Sequence, residues 1–90
     1  MLYDILFLLD RSGRFQSVAW GSREAEDLYR DLFESWAADR RLAHTAFALP
    51  QDQDSGEFVW EENAFHFQLL PAPEDGRWLL LKREDNRPYL

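Results

Sequence analysis

Cysteine is absent from this 90-residue chain. Disulfides, thiolate metal sites and cysteine redox chemistry are therefore excluded, and a cytoplasmic location is the expectation. Glycine and proline are sparse, at four each. The glycines are isolated, so no phosphate-cradling loop is present. Lysine is nearly missing: Lys82 is the single lysine among ten basic residues, and the rest are arginine. Seventeen acids against ten bases leave a formal charge of −7. Such a surface repels a phosphate backbone, so direct nucleic-acid binding is not expected. No apolar run approaches the roughly 20 residues of a membrane helix. The apolar N-terminal stretch lacks a basic flank and carries Asp4 and Asp10, which sets it apart from a secretory signal, and no membrane partner is expected.

What the chain does have is aromatic mass, 16% of its residues. That is ample for the core of one domain spanning residues 1–90. The organising stretch is 22–41. Ala25, Leu28, Tyr29, Leu32, Phe33, Trp36 and Ala37 recur with helical period, which predicts an amphipathic helix with one apolar stripe. Ser22 occupies the N-cap position. Glu24, Glu26 and Asp27 favour the positive end of the helix dipole, and Arg40 and Arg41 the negative end. Buried aromatics of this size contribute on the order of 2–3 kcal/mol each, so the stripe needs a sheet or a partner to cover it.

Strand alternation accounts for most of the rest. Residues 2–10 place Tyr3, Ile5, Phe7 and Leu9 on one side and Asp4, Leu6, Leu8 and Asp10 on the other. A turn at 10–14, with Gly13 available for positive φ, leads to a return strand at 15–20. In that strand Phe15, Ser17 and Ala19 share one side, and Gln16, Val18 and Trp20 the other. After the helix, 43–49 reads as a third strand, with Thr45, Phe47 and Leu49 alternating against His44, Ala46 and Ala48, while its alanines allow an extension of the helix. A polar loop covers 50–57. Strands at 57–61 and 64–70 flank Glu62-Asn63, and a last strand spans 77–83. Residues 84–90 read as a loose tail. The prediction is an α+β domain in ββαβββ(β) order, with a single antiparallel sheet of five or six strands and one helix packed on one face.

One helix of about 30 Å cannot cover both faces of such a sheet. The second face is expected to carry Leu6, Leu8, Val18 and Trp20, with some of Trp60, Trp78 and Leu80. An open apolar face of that kind marks an interface unless the sheet curls on itself. Acids also gather from 52 to 62, as Asp52, Asp54, Glu57, Glu61 and Glu62 with no base among them. A charge run is ordinarily a solvated face; the functional reading is a docking rim for a basic partner.

Catalytic patterns are weak. His44 and His66 with Glu61 or Glu62 have no metal-demanding spacing. The 51–62 loop has Gln51 and Gln53 where a calcium loop needs acids. Glu61 and Glu62 are neighbours that alternate across a strand, unsuited to paired-carboxylate hydrolysis. None of the serines stands in a nucleophile elbow. The expectation is therefore a non-enzymatic, cofactor-free interaction module. It acts on a protein partner or on itself as a homodimer, through Trp20, Trp60 and Trp78 and the acids at 52, 54, 57, 61 and 62. A sharper version is an inhibitor or nucleic-acid mimic seated on a basic partner. The alternative is a small-molecule domain with an aromatic pocket lined by Trp20, Trp36 or Trp60.

Overall fold

A computed structural model describes residues 3–50 and 52–84. Strands β1 (Ile5–Leu9) and β2 (Phe15–Trp20) form the first hairpin. Helix α1 (Arg23–Ala38) and a short helix α2 (Ala43–Phe47) follow. Strands β3 (Ser55–Trp60), β4 (Asn63–Pro71) and β5 (Arg77–Arg83) complete the order. The five strands form one antiparallel sheet, ordered β2-β1-β5-β4-β3. The predicted α+β class is correct, and the last strand has the predicted limits. The tail expected at 84–90 falls outside the described residues from 85 onward.

The first turn follows from Asp10. Its Oδ1 accepts backbone hydrogen bonds from Ser12 and Arg14, and its Oδ2 accepts one from the Gln16 side chain. Gly13 takes φ 83°. Gly21 ends β2 because nothing larger fits: a Cβ there would run into the carbonyl oxygen of Tyr3. Ser22 then caps α1, its hydroxyl accepting from the Ala25 N–H at 3.1 Å.

The core lies between α1 and one sheet face. Ile5, Phe7, Leu9, Phe15, Phe65, Phe67, Leu79 and Leu81 meet Tyr29, Phe33 and Trp36 of the helix and Phe47 of α2. Phe33 is the hub, with ring centroids 5.0–6.3 Å from Phe7, Trp20, Tyr29, Trp36, Phe47 and Trp60. Leu28 and Leu32, members of the predicted stripe, are 47% and 40% exposed. The buried stripe is the narrower Ala25, Tyr29, Phe33, Trp36 row.

Two expectations are corrected. The segment 43–49 is not a strand. Ala43 and Phe47 are buried at i, i+4 spacing while Thr45 points to solvent, and Ala48 ends the turn in the left-handed region at φ 53°. Alanine's helix preference decides a segment whose apolar pattern fits either structure. The side assignment in β2 also changes. The β1–β2 register shifts between Leu8 and Leu9, so Leu8 pairs with Ser17 and Leu9 with Phe15. The extra residue in β2 puts Phe15, Val18 and Trp20 together on the helix side.

Candidate functional site

Among the described residues, no element crosses the sheet face opposite α1. Registers fix what it displays. One cross-strand row reads Ser17, Leu8, Trp78, Leu70. The next reads Ala19, Leu6, Leu80, Gln68, Ser55. A third, reaching the β3 edge, reads Lys82, His66, Glu57. The centre of the face is thus apolar over β1, β5 and β4. Leu80 is 6% exposed, and Leu6, Leu8, Leu70 and Trp78 are half-buried. Strands with apolar residues on both faces are those a sheet normally covers on both sides.

The expected site residues divide. Trp78 lies on the uncovered face. Trp20 and Trp60 do not: both pack under α1, Trp20 6.3 Å and Trp60 5.0 Å from Phe33 between centroids. Val18 goes with them. For Trp60 the cause is the β3–β4 register, which aligns Phe58 with Phe65 and so commits the even positions of β3 to the core.

The acids do not form one cluster. Asp54, just ahead of β3, pairs with Arg77 at 3.2 Å. Glu61 and Glu62 occupy the tight turn at the far end of β3, both at positive φ, with the Glu61 carbonyl accepting from the Asn63 side chain. A six-residue strand separates these positions by about 20 Å. Glu57 alone points onto the uncovered face. Asp52 is exposed in the preceding loop. Together they trace the outer edge of the sheet, where charge also discourages strand-to-strand aggregation.

At the corner of the face, His66 stands between two carboxylates. Its Nδ1 is 3.6 Å from Glu57 Oε1 and its Nε2 is 3.9 Å from Glu84 Oε1. All ligand atoms of this trio lie within 4.8 Å of one another, and all three residues are exposed. The sequence paired the histidines with Glu61 or Glu62; the neighbours of His66 are instead Glu57 across β3 and Glu84 beyond β5. The two carboxylates address opposite ring nitrogens. Beside the trio, Ser55, Gln68, Leu80 and Lys82 help line a shallow depression of about 480 Å³. His44 lines a different depression, with Asp10, Asp54, Asp75 and Arg77, so the two histidines share no site.

No helix among the described residues is long and apolar enough to cross a membrane. The chain matches no protein-family model, and the curated proteins and the solved structures give no match either.

Proposed function

We propose that the protein is a non-enzymatic interaction module that docks a protein partner on the uncovered sheet face. The observation that supports this reading is the Leu6, Leu8, Leu70, Trp78, Leu80 surface on central strands, over which no element among the described residues lies. Leu6, Leu8, Leu70 and Trp78 are half-buried around the buried Leu80, and a partly exposed apolar patch with polar residues at its margin is a usual mark of an interface. The margin supplies the partner's expected chemistry. Glu57 and Glu84 stand at the corner, Asp52 and Asp54 precede the edge strand, Glu61 and Glu62 follow it in the turn, and the net charge is −7. That pattern suits an apolar patch ringed by basic residues, and its acidity also fits an inhibitor or mimic that occupies a basic site. A cytoplasmic setting goes with this reading through the lack of cysteine.

The test is capture from the source extract at low and high salt, with Trp78→Gln and Leu70→Gln compared with the unaltered chain. Both substitutions leave the far-side core intact. A partner captured by the unaltered chain and lost with both variants supports docking on this face. Weaker capture at high salt adds support for the acidic margin. Sedimentation showing a dimer that the variants dissolve would make a second copy the partner. Capture unaffected by either variant would place the interface elsewhere.

A further inference from the structure

The C-terminal end of helix α1, away from the uncovered sheet face, carries a groove of its own. Helix α1 ends in a Schellman motif. The Arg41 N–H donates to the Trp36 carbonyl and the Arg40 N–H to the Ala37 carbonyl, with Asp39 as C-cap. Arg40 fills the left-handed position, φ 54°, that glycine normally occupies. This motif ordinarily sets an apolar side chain two residues past the cap against the last helical turn. Here Arg41 takes that place, its guanidinium 5.5 Å from the Trp36 ring centroid.

The β1–β2 hairpin brings a second arginine to the same spot. The Phe15 N–H donates to the Arg41 carbonyl, the Ala43 N–H donates to the Gly13 carbonyl, and Arg14 forms an antiparallel bridge with Leu42. The Arg14 guanidinium is anchored on the Arg40 carbonyl at 3.1 Å. Between these arginines Trp36, Leu42, Thr45 and Ala46 line a groove of about 390 Å³, within the range of small-molecule sites. Among the described residues Arg14 has no carboxylate within ion-pair distance, although its charge and that of Arg40 act on Asp10, and Arg41 has the exposed Asp39 at 3.7 Å. A protein of net charge −7 thus places two guanidinium groups, those of Arg14 and Arg41, at one apolar groove. Held arginines beside apolar surface recognise a carboxylate that carries an apolar body.

We propose that this groove binds a small monocarboxylate with an aromatic or branched apolar body. The carboxylate pairs with Arg14 and Arg41, and the body lies on Trp36, Leu42 and Ala46. The overall negative charge disfavours polyanions at this site, which is why a single carboxylate fits it better than a nucleic acid.

The experiment is an amide-resolved NMR titration of the full chain with phenylacetate, and with uncharged phenylacetamide as the control. Saturable shifts at Leu42, Thr45, Ala46 and the Trp36 indole are expected with phenylacetate. The amide should bind at least about tenfold more weakly. The variant Arg14→Gln/Arg41→Gln alters exposed side chains and should keep its amide dispersion. It should lose about tenfold or more in carboxylate affinity while leaving amide binding unchanged. Equal binding of the two probes, an unchanged affinity in the double variant, or no saturable shift with millimolar phenylacetate would overturn the proposal.

Discussion

Trp60 lies 5.0 Å from Phe33 between ring centroids, and this contact ties the edge strand β3 to the main helix. Phe33 itself is fully buried and touches rings from β1, β2, α1, α2 and β3. Removing it opens a cavity at the junction of every layer. Phe33→Ala should cost about 3–5 kcal/mol, measured as the fall in the urea midpoint at unchanged slope. A loss under about 1 kcal/mol would mean that α1 presents a different face.

The turn between β3 and β4 holds two neighbouring glutamates at positive φ, Glu61 at 49° and Glu62 at 66°. That conformation costs a non-glycine residue about 1–2 kcal/mol, and Asn-Gly is the pair that adopts it readily. The double change Glu61→Asn, Glu62→Gly should therefore stabilise the domain by about 1–2 kcal/mol. A thermal unfolding curve reads this as a higher Tm. An unchanged or lower Tm would show that the hairpin turns differently.

Much of the architecture was legible because hydrophobic period survives in the sequence. The Tyr29, Phe33, Trp36 row and the Leu79, Leu81 alternation are both where local pattern placed them. What local pattern hides is a change of phase. One extra residue in β2 moved Val18 and Trp20 to the helix side. The Ala-rich 43–49 stretch fits strand or helix until Phe47 is seen to meet Phe7 and Phe15. The β1–β5 pairing joins residues more than 65 positions apart, and no local signal carries it. Of the site, Trp78 was legible by alternation. The arginine groove was not, because its geometry depends on a helix end with arginine at the position where glycine would have announced the motif.

Gly76 is needed for space and not for conformational freedom. Its φ is −78°, open to any residue, yet a Cβ there would strike the backbone carbonyl oxygen of Leu9. Backbone cannot swing away as a side chain can. Gly76→Ala should destabilise by about 1–3 kcal/mol as the β4–β5 loop is pushed off β1. Amide exchange at Leu9 and Arg77 would report the displacement, and protection equal to that of the unaltered chain would refute it.

Asp10 gives a pH prediction with a definite sign. The backbone N–H of Arg14 is the largest cause holding its carboxyl below the ordinary 3.8, with Ser12 N–H and the charges of Arg14 and Arg40 adding to it and desolvation opposing it. A depressed folded pKa means that the ionised form stabilises the fold above the unfolded pKa. That contribution is lost as pH falls through the folded value. Asp10→Asn removes the titration while keeping an oxygen acceptor for the turn. The stability advantage of the unaltered chain over Asp10→Asn should thus be constant near neutrality and shrink below about pH 4. Urea unfolding of both proteins across that range measures it. A difference that stays flat through the acid range would mean that the Asp10 carboxylate is not the acceptor that sets the first hairpin.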